Sequence, residues 1–205
     1  MSQQPFFSTV TITHLSQDGE GCASIELNER NKAITVPYTL PDEVVDVDFL
    51  KKKKKKLSAR LVLVKELSPR RIDAACAHFG TCGGCKLQHM SYEDALQYKQ
   101  DRVYQLFQAW RDSACFYPAI PSQRIWRYRN KMEFSFSQNK AGDRFLGLML
   151  VGSRGKVFNV EQCPIAPEWM VEGLRLCRDF WHKSGLSAYN YHSNTGHLRT
   201  LTLRQ

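Results

Sequence analysis

The 205-residue sequence contains no long apolar run and no leader-like beginning. None of its hydrophobic stretches approaches the roughly 20 residues that a membrane-spanning helix needs. The first five residues, Met1 to Pro5, contain neither the basic segment nor the apolar segment of a signal peptide. A glycine-rich GxGxxG turn between a strand and a helix is absent as well. We therefore expect a cytoplasmic protein whose 205 residues contain no dinucleotide-type cofactor loop.

Basic residues outnumber acidic residues, and the cysteine count is odd. The chain has 29 lysines and arginines against 20 aspartates and glutamates, which is a net charge of +9. This excess favours a polyanionic partner, most often nucleic acid, and an ordinary basic protein is the alternative. Seven cysteines without an export signal indicate reduced thiols in a cytosol, where clustered cysteines bind metals more often than they form disulfides.

Three cysteines lie close together at a spacing that is typical of metal sites. Cys76, Cys82 and Cys85 form a C-x5-C-x2-C pattern with glycines between them. Tetrahedral thiolate sites need four ligands, so the fourth must come from elsewhere in the chain. Cys163 follows a predicted strand and precedes a proline, which makes it the natural fourth ligand. The spacing alone leaves zinc and an iron–sulfur cluster about equally open.

The first third of the chain is predicted to be a small barrel. Residues 6–66 contain five short strand-like segments separated by turn signals, which is typical of a β-barrel of the OB type. Six consecutive lysines, Lys51, Lys52, Lys53, Lys54, Lys55 and Lys56, connect the fourth and fifth strands. They form either a self-repelling solvated turn or a phosphate-binding loop. On a barrel in a basic chain we predict the second, a salt-dependent contact with RNA.

The rest of the chain is predicted to mix strands with two helices. Ser91 is a typical N-cap for a core-packing helix that ends near Trp110. A second helix is predicted from Pro167 to Ser184. The fold class is therefore α+β, with the barrel in residues 1–67 and an antiparallel-sheet domain with helices in residues 68–205.

Residues 124–137 alternate between aromatic and polar side chains. This period of two predicts a strand with one aromatic face and one polar face that is basic at its start. An ordinary half-buried strand with solvated arginines is the alternative. We predict that Arg127, Arg129 and Lys131 contact RNA.

These motifs together resemble the N-terminal part of the bacterial RNA uracil-5-methyltransferase family, most of all its ribosomal-RNA branch. The resemblance covers nearly the whole chain, and the predicted barrel resembles the family's TRAM domain. Trp126 to Lys131 and Gly196 to Arg199 match strands of its central RNA-binding domain. The cysteine pattern matches the four ligands of the family's four-iron–four-sulfur (4Fe-4S) cluster, which here are Cys76, Cys82, Cys85 and Cys163.

The resemblance implies methyl transfer from S-adenosylmethionine to carbon 5 of a uridine. In this chemistry an enzyme cysteine attacks carbon 6, carbon 5 takes the methyl group, and a base removes its proton. The target base must be flipped out of its stack. The resemblance also favours the cluster over zinc. Because four cysteines leave the cluster no open site for substrate, we expect a structural role, with redox sensing as the alternative.

The family's glycine-rich cofactor loop and its Cys-Asn-Pro nucleophile motif have no match in this sequence. We therefore expect residues 1–205 to comprise the RNA-binding and cluster parts, with no catalytic residue and an incomplete C-terminal end. The methyltransferase domain is expected to be absent, so that S-adenosylmethionine is bound only through that domain and the chain alone is inactive. The alternatives are a stand-alone RNA-binding protein with a structural iron–sulfur or zinc site, and a zinc-binding ribosome-associated module. We expect ribosomal RNA as the partner, no membrane contact and a monomer.

Overall fold

The computed structural model describes most of the chain, namely residues 7–27, 30–49, 57–153 and 155–205. These residues form a mixed α+β structure with two sheets and few helices, which confirms the predicted class at this level. They divide into two compact units, each assembled from two segments: residues 1–74 with 86–121, and residues 75–85 with 122–205. The predicted domain boundary after residue 67 stays a prediction.

The first unit contains one six-stranded sheet. Its strands are β1 (Phe7–Thr11), β2 (His14–Leu15), β3 (Gly21–Leu27), β4 (Arg30–Val36), β5 (Val44–Phe49) and β6 (Leu57–Glu66). The order across the sheet is β1-β5-β6-β4-β3-β2, and every pair is antiparallel except β4 with β6. The five predicted strands are present, and the two-residue β2 is the addition that the sequence pattern did not indicate.

The sheet of the first unit curls around a single apolar core. Alternate residues of each strand point inward, as the strand period of two requires. Val10 from edge strand β1, Ile25 from β3 and Val47 from β5 all belong to the same buried cluster. Because strands near opposite edges of the sheet share one core, the sheet cannot be flat. This curvature is what the predicted barrel requires.

Helix α1 (Tyr92–Leu106) begins as predicted but does not bury its apolar stripe. The Ser91 hydroxyl oxygen accepts a hydrogen bond from the Asp94 N–H at 3.0 Å, which confirms the predicted N-cap. Ala95 is buried with Leu40 and Met90. The later apolar residues of the helix and of the following 3-10 turn (Gln108–Trp110) are about half exposed. The prediction that they pack in a core is therefore wrong for Val103, Leu106, Phe107 and Trp110.

The second unit is a four-stranded antiparallel sheet with one helix packed on it. The elements are β7 (Lys131–Gln138), β8 (Arg144–Met149), β9 (Val157–Asn159), α2 (Glu168–Lys183) and β10 (Thr200–Arg204), with the strand order β10-β7-β8-β9. Helix α2 matches the predicted helix, and its inward face is fully buried against the sheet. The buried cluster includes Met170, Leu174 and Trp181 from the helix with Phe134 and Leu146 from the sheet.

Two strand predictions in the second unit are wrong. Residues 124–130 are irregular, and the strand starts only at Lys131. Arg127 has a φ of 55°, which lies in the left-handed region that an extended strand excludes. Residues 188–192 form an irregular ribbon with isolated bridges instead of a strand.

No helix in the part of the chain that the structure describes has the length and apolar character needed to cross a membrane.

Candidate functional site

The three clustered cysteines lie on a series of tight turns in the second unit. The Phe79 N–H donates to the Cys76 carbonyl at 3.0 Å, and the Cys82 N–H donates to the His78 carbonyl at 2.8 Å. Gly80 has a φ of 83°, so the left-handed conformation between the cysteines falls at this glycine. We call this segment, residues 76–85, the cysteine turn. Its compact backbone keeps Cys76 and Cys85 near Cys82.

Strand β8 and the segment after β9 hold the cysteine turn in place. The Gly83 N–H donates to the Met149 carbonyl at 3.3 Å, and the Val151 N–H donates to the Thr81 carbonyl at 2.9 Å. The His78 Nε2 atom accepts a hydrogen bond from the Glu161 N–H at 3.2 Å. Glu161 precedes Cys163 by two residues, so His78 ties the turn directly to the segment that carries the predicted fourth ligand.

The four predicted ligand cysteines lie in the same unit and influence one another electrostatically. Burial raises the pKa of the Cys82 thiol, and the nearby Cys85 and Cys76 raise it further. Burial also raises the pKa of the Cys163 thiol, again with contributions from Cys76 and Cys85. None of the seven cysteines, all of which are described, is in a disulfide bond. The fold therefore brings Cys163 to the cysteine turn, although the two are about eighty positions apart in the sequence.

Backbone N–H groups point at two of these sulfurs. The Gly84 N–H donates to the Cys82 Sγ at 3.3 Å, and the N–H groups of Ala166 and Ile165 act on Cys163 in the same way, lowering its pKa against the effect of burial. Such donors stabilise a thiolate. Four half-buried thiols with N–H donors have the donor chemistry of a thiolate-bound cluster. Among the described residues, however, no group of three or more His, Cys, Asp or Glu side chains forms an arrangement that could hold a metal ion.

The predicted basic strip begins as an irregular segment beside Cys163. The N–H groups of Arg127 and Arg129 donate to the carbonyls of Pro164 and Ile165 at 2.9 and 3.0 Å. These bonds hold the segment against the residues that follow Cys163. The positive charge of Arg129 also reaches the cysteine turn, where it lowers the pKa of the Cys82 thiol against the effect of burial.

The three cations of this strip have different surroundings. Arg127 forms an ion pair with Glu168, whose carboxylate pKa is thereby held below its usual range. Lys131 pairs with Glu133 at 2.7 Å. Arg129 is exposed and forms no ion pair within the described part of the chain. Of these three cations, Arg129 is therefore the one without a carboxylate partner in the described residues, and the RNA contact of all three stays a prediction.

The predicted RNA-contacting lysines Lys51 to Lys56 lie outside the described residues.

His89, a histidine that flanks the cysteines in the sequence, belongs to a buried polar network in the first unit. Arg71 donates to both carboxylate oxygens of Glu43, one of them at 2.8 Å, and the Leu40 N–H donates to Glu43 at 2.9 Å. Burial alone raises the pKa of Glu43, but these hydrogen bonds and the Arg71 charge hold it below its usual value. Burial and the Arg71 charge lower the pKa of His89 to about 4.

Sequence reasoning considered His78 as a ligand, helper or surface residue but missed its partner Glu161, and it missed the pairing of Glu168 with Arg127. His78 stands two residues after Cys76, and Glu168 stands in the first turn of a predicted helix. Neither position in the sequence predicts that the side chain has a partner in another segment. Such partners become visible only when the segments are placed in space.

Comparisons with known proteins identify RNA methyltransferases as relatives. The chain is 42% identical over 170 residues, 83% of its length, to an uncharacterized RNA methyltransferase from Protochlamydia amoebophila. It is 31% identical over 173 residues, 84% of its length, to the tRNA (uracil(54)-C(5))-methyltransferase of Pyrococcus horikoshii. The matched regions are 38% and 40% of these relatives, so the chain spans about two fifths of their length. No protein-family model matches the chain.

A solved structure has the same fold. The crystal structure of Pyrococcus abyssi tRNA (uracil-54, C5)-methyltransferase in complex with S-adenosyl-L-homocysteine superposes with a TM-score of 0.72 and 23% identity. The likeness covers 96% of this chain and 42% of that one. At this identity it shows a shared fold, and the homologous sequences show which class of enzyme the chain is similar to.

Proposed function

We propose that this chain is the RNA-binding and cluster-bearing portion of an S-adenosylmethionine-dependent RNA (uracil-5-)-methyltransferase. The observation that carries the proposal is the 31% identity over 84% of the chain to an enzyme named for methylation of uracil carbon 5. The fold likeness over 96% of the chain supports it. S-adenosylmethionine binding and methyl transfer are assigned to the remainder of such an enzyme, since the matched region is about two fifths of each relative. We also propose that the six-stranded sheet is a TRAM-type barrel. The protein is proposed to be cytoplasmic.

In this proposal Cys76, Cys82, Cys85 and Cys163 hold a 4Fe-4S cluster. The shared location of the four thiols, their burial and the N–H donors at Cys82 and Cys163 support this assignment. A cluster held by these four thiolates would cross-link the cysteine turn to the segment after β9 and would therefore act structurally. Zinc bound by the same thiolates is the alternative, and iron, sulfide and zinc analysis distinguishes the two.

In this proposal, basic residues of the chain bind RNA. Arg129 supplies an unpaired positive charge beside the cysteine site, while Arg127 and Lys131 reach phosphates only after leaving Glu168 and Glu133. The lysine run Lys51 to Lys56 adds charge whose effect does not depend on RNA sequence. The RNA is proposed to be ribosomal, with tRNA as the second candidate because the Pyrococcus horikoshii relative is named for uracil 54 of tRNA.

Binding and methylation assays on the 205-residue chain test this proposal. We expect the chain to bind ribosomal RNA fragments with an affinity that falls with salt, and to transfer no methyl group from labelled S-adenosylmethionine. Transcripts of tRNA in the same assay decide between the two RNA classes, and sedimentation checks the predicted monomer. Carbon-5 methylation by the chain alone would show that the catalytic machinery is within these residues. Absence of RNA binding at low salt would refute the RNA role.

A further inference from the structure

The four-stranded sheet of the second unit has one face that helix α2 does not occupy. Side chains alternate along β7, so Met132 and Phe134 face the helix while Glu133 and Ser135 point to the other side. On the neighbouring strand, Thr200 lies opposite Ser135 and is exposed. This outer face therefore presents small polar side chains, and the charge of Glu133 is paired with Lys131 at 2.7 Å.

An arginine and two tyrosines stand beside this outer face. The Arg199 Cζ atom lies 4.6 Å from the ring centroid of Tyr191 and 5.7 Å from that of Tyr189. The two tyrosine rings meet edge to face at 5.2 Å. Arg199 also donates a hydrogen bond to the Tyr191 hydroxyl. Because 67% of Tyr191 is exposed, this aromatic–arginine stack is open to a ligand.

The backbone holds this stack in one arrangement. The Tyr189 N–H donates to the Leu198 carbonyl at 2.8 Å, and the Asn190 N–H donates to the Thr195 carbonyl at 2.7 Å. Gly196 has a φ of 109°, and a Cβ at this position would lie 2.3 Å from the Ala188 carbonyl oxygen. The two sides of the ribbon therefore approach closely, and the position requires glycine. A stack that is ordered before binding loses little conformational entropy when a ligand arrives.

Two grooves meet at the stack. One has a volume of about 480 Å³ and the other about 630 Å³, and both are lined by Ser135, Tyr191, Arg199 and Thr200. Volumes in this range accommodate small organic groups such as a nucleotide. The planar side chains between the grooves and the hydroxyls along them match the two parts of a nucleotide, its flat base and its polar sugar–phosphate.

We propose that the Tyr191–Arg199 stack is a base-stacking site for single-stranded RNA, with Tyr189 supporting it and Ser135 and Thr200 facing the sugar–phosphate. Unpaired RNA bases stack on aromatic rings and on guanidinium planes, and every base offers such a surface. The net charge of +9 favours a polyanionic occupant such as RNA over a neutral or basic partner. The inference rests on the RNA-binding role proposed above and adds a site outside the basic segment. This site borders the cysteine turn, because Gly83 and Gly84 line the larger groove.

The test uses a single-stranded RNA of about eight nucleotides that contains the fluorescent base 2-aminopurine. We expect the 205-residue chain to bind it with quenching of the fluorophore, since quenching reports stacking. Tyr191→Leu keeps apolar area but removes the ring, and should weaken binding roughly tenfold without changing the dependence of affinity on salt. Tyr191→Phe keeps the ring and should bind like the wild type.

The controls separate this inference from the proposed function. Tyr117→Leu removes another exposed tyrosine, 80% accessible in the first unit, and should leave affinity unchanged. Circular dichroism melting confirms that the variants fold. Wild-type binding that Tyr191→Leu does not weaken overturns the stacking site and leaves the RNA role standing. A wild-type chain that binds no RNA at low salt overturns both.

Discussion

The two units anchor their irregular segments with different chemistry. In the first unit Arg71, on the chain after the last strand, is paired with Glu43, whose side chain is fully buried. In the second unit the cysteine turn meets Cys163, and the groups that come together are thiols of one kind. In the first unit the negative charge of Glu43 is neutralised by the positive charge of Arg71. In the second, burial and the nearby Cys76 and Cys85 raise the pKa of Cys82 and of Cys163, so a positively charged group is what would stabilise these two as thiolates.

This difference indicates what each unit depends on. Glu43 receives hydrogen bonds from Arg71, the Leu40 N–H and the Ser68 N–H, so its buried charge is satisfied by the polypeptide alone. The cysteines have N–H donors at Cys82 and Cys163, but each further thiolate adds repulsion. We therefore expect the first unit to be sensitive to pH and charge removal, and the second, if it holds the proposed cluster, to be sensitive to removal of iron.

The largest effect is expected for Cys163→Ser. Loss of one of four thiolates should reduce bound iron to near background and lower the free energy of unfolding on the order of 5 kcal/mol, since metal-binding free energy is folding free energy. Iron and sulfide analysis and calorimetric melting measure these quantities. Cys115→Ser removes an exposed thiol and is the matched control. Unchanged iron content and melting in Cys163→Ser would contradict the ligand assignment.

Removing the buried charge of the first unit should have the next largest effect. Glu43→Gln leaves the Arg71 guanidinium largely buried without a counter-charge, which should cost about 3 to 5 kcal/mol in urea unfolding. The control is Asp46→Asn, which breaks a more exposed ion pair with Lys65 at 2.9 Å and should leave the unfolding midpoint nearly unchanged. Equal effects of the two substitutions would show that burial does not decide the strength of the Glu43 pair.

The smallest effect is a dependence of stability on pH through His89. Its pKa is about 4 in the folded chain against an ordinary value of 6.5, because burial and Arg71 oppose its positive charge. Below pH 6.5 the unfolded chain therefore binds more protons, and stability should fall by about 3 kcal/mol between pH 7 and pH 4. The lowered pKa of Glu43 acts in the same direction below pH 4.5.

His89→Gln separates these two groups. This variant should lose the decline between pH 6.5 and pH 4.5 and keep the decline at lower pH, measured as urea unfolding at a series of pH values. An identical pH profile for His89→Gln and the wild type would contradict the role given to the imidazole.

Prediction from sequence succeeded where local pattern decides the structure. Alternation identified the strands of the first sheet, and the Ser91 cap and the face of Met170, Leu174 and Trp181 identified both helices. It failed at residues 124–130, where aromatic and basic residues alternate as in a strand. There the backbone N–H groups of Arg127 and Arg129 donate hydrogen bonds to the carbonyls of Pro164 and Ile165. These partners are distant in sequence, so no local pattern predicts them.

The candidate site was predictable to a similar degree. The cysteine spacing predicted three of the thiols, and the position of Cys163 between a predicted strand and a proline suggested the fourth; the structure brings all four into one unit. The charge pattern predicted RNA contacts for three cations, and this stays a prediction; in the described residues Glu168 and Glu133 pair with two of them, Arg127 and Lys131. The aromatic–arginine stack was missed because Tyr191 and Arg199 are eight positions apart on an irregular ribbon.

By itself the sequence determined the strand and helix periods, the caps, the net positive charge and the set of thiols, because these are properties of side chains and of short stretches of backbone. Only the tertiary structure decided which segments meet. It placed Cys163 beside the cysteine turn, left the later apolar residues of α1 exposed, and put Arg199 over the Tyr191 ring. The physical reason is that such contacts depend on long-range packing and on which backbone groups remain available for hydrogen bonds, and both are known only when the whole chain is folded.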